Sequence, residues 1–182
     1  MSETSTEVYA KANLPQVLQT KINMQIDLKQ LLNFLAEANK YGYASGQDIV
    51  QEKQPDGSTS ITYQNKDWFF NDNYFGGDPF GGREVIFYKN KSVFIMTYYG
   101  KIRDKSYDNE FIYSFLQKAL RLFPENNPFR GPQIFQEEID KKMMRYENNW
   151  QGEIDYFSGQ EKIFIDSKEI YEAKYAGGLI DQ

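Results

Sequence analysis

The feature that most constrains this chain is a series of short β-branched and aromatic runs separated by polar spacers of turn length. Residues 49–53 and 59–63 flank Pro55-Asp56-Gly57, in which the glycine accepts a positive φ, so this pair predicts a β-hairpin. Residues 84–88 and 92–98 are rich in Val, Ile, Phe and Tyr and are joined by three polar residues. Because spacers this short cannot contain a crossover helix, we expect neighbouring strands to run antiparallel.

The last third of the chain continues this pattern. Pro124, Pro128 and Pro132 predict an irregular connection, and four further strand-like runs follow it. These predicted strands span residues 144–150, 153–157, 162–165 and 169–175. We therefore expect this part of the chain to form a meander.

Two segments instead carry apolar residues at helical spacing. The first runs from Leu28 to Tyr41, with Asp27 as its N-cap and Gly42 as its predicted end. The second runs from Asn109 to Phe123 and is ended by Pro124. Together these patterns predict an α+β fold in which two helices pack on an antiparallel, twisted or barrel-like sheet.

The length of the chain fits a single domain. Its 182 residues are enough to bury a core without disulfides or metals. We find no internal repeat, low-complexity linker or charge block, so we expect one globular domain over 1–182, with 1–12 flexible. A short helix near residues 13–18 and a strand over 22–26 are also predicted.

The chain contains neither cysteine nor histidine. Disulfides, the usual zinc sites, haem ligation by histidine and Ser-His-Asp triads are therefore excluded, and we predict no cofactor and no metal. The formal net charge of -5 disfavours direct binding to nucleic acid. With no signal peptide and no long apolar run, we expect a cytoplasmic protein without a membrane span. The sequence does not fix an oligomeric state.

Local propensity explains the glycine-rich aromatic stretch over residues 67–84 least well. Glycine pairs at 76–77 and 81–82 let a backbone turn sharply or approach a ligand closely, and aromatic side chains between them offer stacking surface. Arginine and carboxylates in such a setting suit anions and hydroxyl groups. The candidate ligand-binding residues are Trp68, Asp72, Asp78, Arg83, Glu84, Tyr98 and Arg130.

Two other interpretations of this stretch stay open. It is equally typical of a packed aromatic turn between two strands, in which Arg83 would pair with a carboxylate or with backbone carbonyls. Asp72 with Asp78 or Glu84 would also supply the two carboxylates that a glycoside-type hydrolase needs. No nucleophile and base pair stands out, so an enzyme is not the favoured prediction.

Several segments together resemble a bacterial family of uncharacterised domains. They are NFLAEANKYGYASG, DNYFGGDPFGGREVIFYKN, MTYYGKI, FLQKAL, NPFRGP and YAGGLID, which span most of the chain after Asp27. Members of that family occur alone or behind a helix-turn-helix segment in predicted transcriptional regulators. The resemblance implies a sensing or interaction module, and residues 1–26 are too short for the DNA-reading segment. We therefore expect a soluble module that binds a small molecule or a protein, with a carboxylate-dependent hydrolase acting on a small polar or sugar-like substrate as the alternative.

Overall fold

The computed structural model describes residues 26–44, 51–123 and 129–181. The chain divides into two compact units, Met1–Leu31 and Leu32–Gln182, and every strand among the described residues belongs to the second. The expectation of one domain over 1–182 stays a prediction. The predicted flexible segment 1–12 and the helix near 13–18 lie outside the described residues, as does nearly all of the strand over 22–26.

The described residues form two α-helices and nine β-strands. In chain order they are α1 (Leu28–Ala44), β1 (Gln51–Lys53), β2 (Thr59–Asn65), β3 (Trp68–Gly76), β4 (Phe80–Tyr88), β5 (Lys91–Ile102), α2 (Asn109–Arg121), β6 (Ile134–Ile139), β7 (Lys142–Glu153), β8 (Tyr156–Ile165) and β9 (Lys168–Leu179). No helix within these ranges is long and apolar enough to cross a membrane.

All nine strands belong to one sheet, and every neighbouring pair is antiparallel. The strand order is β1-β2-β3-β4-β5-β9-β8-β7-β6. The predicted α+β class with an antiparallel sheet is confirmed. The sheet is open rather than a barrel, because β1 and β6 form its two edges.

Three local predictions were wrong. Most of the glycine-rich stretch is strand, since β3 and β4 pair from Trp68↔Tyr88 to Gly76↔Phe80. The strand predicted over 153–157 instead contains the end of β7, a two-residue turn at 154–155 and the start of β8, and the pair next to the turn is Glu153↔Tyr156. Helix α1 continues past Gly42 to Ala44, and Gly42 is buried beside Ile61 of β2. The low helix propensity of glycine does not end the helix here.

Both helices lie on the same face of the sheet, which we call the helix face. Phe34 of α1 stacks on Trp68 of β3 with ring centroids 5.5 Å apart, and Phe115 of α2 stacks on Phe135 of β6 at 5.2 Å. Side chains at directly opposed positions share a face, so the strand registers place these two contacts on one side. We call the opposite side, which carries no described helix, the open face.

The fold contains an internal repeat, which corrects the expectation of none. Half one, α1 with β2–β5, and half two, α2 with β6–β9, each consist of a helix followed by four antiparallel strands. Gly82 pairs with Tyr98 as Gly159 pairs with Tyr175, so β4 and β5 correspond to β8 and β9 with an offset of 77 residues, and β3 corresponds to β7 with an offset of 76. Both halves also carry a register shift at the same place, after Ile86 and after Ile163. The halves join where β5 pairs with β9, and there the two tyrosines lie opposite each other.

The sequence carries the same repeat once the registers are known. Strand β3 contains FNDNYFG where β7 has YENNWQG, β4 contains FGGREVIF where β8 has FSGQEKIF, and β5 contains VFIMTYYGKI where β9 has IYEAKYAGGL. The shared residues are mainly those on the helix face and the glycines. Gly82 is needed because a Cβ there would lie 2.6 Å from the Tyr98 hydroxyl oxygen.

Candidate functional site

Four of the seven predicted site residues meet at the centre of the helix face. The Tyr98 hydroxyl donates a hydrogen bond to Asp72 Oδ1 at 2.5 Å. Arg130 Nη1 lies 3.9 Å from Glu84 Oε1, and the guanidinium carbon is 5.1 Å from the Tyr98 ring centroid. All four side chains are buried. Strands β3, β4 and β5 supply three of them side by side, and the loop before β6 supplies the arginine.

Half two adds four residues to this group that the sequence analysis did not single out: Tyr146, Asn148, Glu161 and Tyr175. Arg130 Nε donates to Glu161 Oε1 at 2.5 Å, and the Tyr146 hydroxyl donates to the same oxygen at 3.0 Å. The Tyr175 hydroxyl donates to Asn148 Oδ1 at 2.7 Å. We call these eight residues the central cluster.

The repeat explains the layout of the central cluster. Glu84 and Glu161 are equivalent positions, as are Tyr98 and Tyr175. Asp72 pairs with Glu84 across the strands where Asn148 pairs with Glu161, so half two has an amide in place of one carboxylate. Arg130 belongs to the loop that follows α2, and it places its positive charge between the two halves.

Burial dominates the electrostatics of the cluster. It raises the pKa of Glu84 to about 8, with the nearby charge of Asp72 adding to the effect and Arg130 opposing it. Burial likewise raises the pKa of Asp72 to about 6, against the hydrogen bond from Tyr98. The pKa of Tyr146 is also raised, first by burial and then by the charge of Glu161. Burial therefore favours the protonated form of Glu84 in the folded protein.

The cluster is closed to solvent by its own packing. Asn148 Nδ2 donates to the carbonyl oxygens of Phe129 and Gly131 at 2.6 and 3.0 Å, which fastens the loop around Arg130 onto the sheet. Glu84 Oε2 and Glu161 Oε2 have no hydrogen-bond partner among the described residues. Within the same part of the chain, no group of three or more acidic side chains is arranged to hold a metal ion. The cluster can fix the two halves together and hold a proton, but its carboxylates do not reach a surface where a substrate could touch them.

Two further predicted site residues lie apart from the cluster and make structural contacts. Trp68 packs under α1, with its ring 5.5 Å from Phe34 and 4.5 Å from Tyr88. Asp78, between β3 and β4, accepts hydrogen bonds from Ile102 N at 2.7 Å and from the Tyr113 hydroxyl at 2.9 Å, and it forms an ion pair with Lys105. These contacts secure the end of the hairpin.

Arg83 lies on the opposite side of the sheet from the cluster. It precedes Glu84 in β4, and successive side chains in a strand point to opposite faces. On the open face it lines a cavity of about 450 Å³. The structure therefore does not gather Arg83, Asp72 and Asp78 around one pocket, and the seven predicted residues do not form a single site.

A larger groove of about 830 Å³ crosses β5, β9, β8 and β7. We call it the open-face groove, because the side chains around it are the outward ones of each strand. Those side chains are Thr97, Tyr99, Asn149, Gln151, Ser158, Gln160, Lys174 and Ala176.

The repeat accounts for the position of the open-face groove. In half one, Tyr99 lies over Gly81, and a Cβ on that glycine would come within 3.1 Å of the ring. The equivalent of Tyr99 in half two is Ala176, which leaves the corresponding space empty. None of the groove residues except their neighbour Tyr98 was predicted from the sequence. Alternation along β7 and β8 combined with the repeat would have found them.

Comparison with known proteins places the chain in a family. No curated protein and no solved structure matches it. One family profile, described as a domain of unknown function (DUF5680), matches residues 72–180, more than half of the chain. The matched range begins at Asp72 and includes the whole central cluster and the open-face groove. The expected resemblance to a family of uncharacterised domains is thus confirmed, and the chain belongs to the DUF5680 family.

Proposed function

We propose that this protein is a binding module that holds a small hydroxylated ligand in the open-face groove. The observation that carries the proposal is the chemistry of the groove wall, which combines amides, hydroxyls and one lysine with the ring of Tyr99. Such a lining gives several hydrogen-bond donors and acceptors beside one apolar surface, which suits sugars and other polyols. The volume of about 830 Å³ lies within the range of known ligand sites.

The hydrogen-bonding groups of the groove are largely available to a ligand. Gln151 Nε2 donates to Ser158 Oγ at 3.2 Å, and Thr97 Oγ1 donates to the Ala176 carbonyl at 3.3 Å. The side chains of Asn149, Gln160 and Lys174 make no hydrogen bond or ion pair with any residue that the structure describes. They lie on three adjacent strands of a rigid sheet, which lowers the entropic cost of ordering a binding site.

The alternative of a carboxylate-dependent hydrolase has no such support. No aspartate or glutamate lines the groove. The two carboxylates it would need, Asp72 and Glu84, are 4% and 1% exposed on the other side of the sheet. A binding role also agrees with the sensing function that the family resemblance implies, in a bacterial cytoplasmic regulator that acts through a ligand rather than on DNA directly. No cofactor or metal is part of this proposal.

The test is a thermal-shift and calorimetric screen with a panel of mono-saccharides, disaccharides and linear polyols. A ligand at a hundred times its Kd stabilises the folded state by about 2.7 kcal/mol. For a chain of this size that raises the melting temperature by roughly 5–10 °C. Ala176→Tyr should abolish the shift, because it places in half two the ring that fills the same space in half one.

Gln136→Tyr is the matched control, because it adds the same side chain to an exposed position on edge strand β6 outside the groove. It should leave both the melting temperature and the ligand shift unchanged. The proposal fails if no member of the panel shifts the melting temperature, or if Ala176→Tyr binds a hit as well as the unaltered protein does.

A further inference from the structure

A second cavity on the open face is lined by strands β3, β4 and β5 of half one, with Ile180, which follows β9, at its edge. It has a volume of about 450 Å³, and we call it the Arg83 pocket. Its wall is mainly apolar, with Arg83, Asn71 and Ser92 as the polar groups. The residues that matter here are Phe69, Asn71, Arg83, Val85, Phe87 and Ile95. It shares no lining residue with the open-face groove.

The repeat provides an internal comparison for this surface. The strand registers assign to the six residues the counterparts Arg145, Glu147, Gln160, Lys162, Phe164 and Glu172. Only one aromatic residue is kept, while three apolar side chains, Phe69, Val85 and Ile95, correspond to charged ones. The apolar wall is therefore a property of half one and not a requirement of the shared fold.

The charges of half two neutralise one another. Arg145 Nη2 lies 3.0 Å from Glu147 Oε1, Lys162 Nζ lies 2.6 Å from Glu169 Oε2, and Arg103 Nη1 lies 3.0 Å from Glu172 Oε2. This is an ordinary solvated sheet surface. Arg83, in contrast, forms no ion pair or hydrogen bond with any residue within the described ranges. Its positive charge is thus placed beside an apolar cavity without a carboxylate to balance it.

Geometry brings the charge and the apolar wall within reach of one small ligand. Arg83 and Val85 are two positions apart on β4, so they share a face, and Val85 lies directly opposite Asn71 on β3 and Ile95 on β5. Alternate residues of a strand are separated by roughly 7 Å. A guanidinium binds a carboxylate through two parallel hydrogen bonds, and the Asn71 amide can donate another.

We propose that the Arg83 pocket binds a small amphipathic monocarboxylate, with its carboxylate on Arg83 and its apolar body against Phe69, Val85 and Ile95. This site is separate from the open-face groove and does not depend on the function proposed for that groove. The half-two surface is excluded as a second copy of the site, because Lys162 and Glu172 place charges where the apolar body would lie.

The test is isothermal titration calorimetry of the full chain with octanoate, with 1-octanol and acetate as probes of the tail and the head alone. Octanoate should bind at least tenfold more tightly than either one. Arg83→Gln, which introduces the residue found at the equivalent position of half two, should weaken octanoate binding at least tenfold and leave 1-octanol unaffected.

Arg145→Gln is the matched control, since it removes an arginine from the same face of half two. It should change the octanoate affinity by less than twofold. Both arginines are exposed, so both variants should keep the unfolding midpoint of the unaltered protein. The proposal is overturned if octanoate does not bind, if 1-octanol binds as tightly, or if the two arginine variants weaken octanoate binding equally.

Discussion

Replacing Glu84 by glutamine tests whether the central cluster holds a proton at neutral pH. The pKa of Glu84 in the folded protein is raised from 4.5 to about 8, mainly by burial. Between these two values the folded protein keeps a proton that the unfolded chain has released. The free energy of unfolding therefore falls as the pH rises through this window, and the loss is complete above the folded pKa.

The magnitude follows from the width of that window. At 1.36 kcal/mol per pH unit, the interval from 4.5 to about 8 corresponds to roughly 5 kcal/mol. Relaxation of neighbouring side chains and entry of water stabilise the ionised form, so we expect about 2–3 kcal/mol to be observed. Glutamine keeps the shape of the protonated acid and cannot ionise. The variant should match the unaltered protein at pH 5 and exceed it by that amount at pH 9.

The assay is urea unfolding followed by the fluorescence of Trp68 and Trp150, at constant ionic strength and in half-unit steps from pH 5 to 9. Asp72, whose pKa is raised to about 6, still titrates in both proteins. Because the charges of Asp72 and Glu84 interact, the difference between the two curves reports the ionisation of Glu84 together with its effect on Asp72. Parallel curves across the whole range would refute the argument, because they would mean that Glu84 ionises equally in the folded and unfolded states.

Three further substitutions test other contacts by the same unfolding assay. Glu161→Gln, at the position equivalent to Glu84, should destabilise the protein by about 3–5 kcal/mol at pH 7. The reason is that it leaves the buried guanidinium of Arg130 without its closest carboxylate. A smaller loss of stability than Glu84→Gln causes would contradict this. Gly159→Ala should lower the free energy of unfolding by about 1–3 kcal/mol, because the added Cβ overlaps the ring of Tyr175. Gly77→Ala should change it by less than about 0.5 kcal/mol, because a Cβ there would have no atom within 4 Å. Equal effects of the two changes would count against the contact between Gly159 and Tyr175. Asp78→Ala should cost about 1–3 kcal/mol through the loss of an acceptor for two donors, and an unchanged midpoint would argue against that role.

Local patterns predicted most of the elements. The helical spacing located α2, and in the structure the Asp108 side chain caps its start by accepting from Glu110 N at 2.6 Å. Turn residues located the hairpins of β1 with β2 and of β4 with β5. The glycine-rich stretch misled the prediction because glycine is a poor strand former by propensity. Here Gly81 and Gly82 lie against Tyr99 and Tyr98 on the neighbouring strand, a contact that no local pattern shows.

The prediction that Arg83 and Glu84 share one site failed for the same reason, because their segment is part of strand β4. Arg83, at the end of the glycine-rich stretch, and Glu84, at the start of the next predicted strand, were both expected to converge on one ligand. In a strand they cannot, because alternation sends one to each face. Tyr98 and Asp72 lie close together because β4 lies between their strands and the two registers place both side chains on the same face. The position of Arg130 had no local signal, since it depends on how the loop after α2 crosses the sheet.

The joining of β5 to β9 has a consequence for how the chain folds. Every other strand pairing links consecutive strands, so each meander can form from local contacts soon after its residues are available. The pairing of β5 with β9 instead closes a loop from residue 102 to residue 171. During synthesis β5 therefore remains an unpaired edge until β9, the last described strand, has emerged from the ribosome. That interval is when the chain is most exposed to intermolecular strand pairing, and its length is set by the rate of translation of half two.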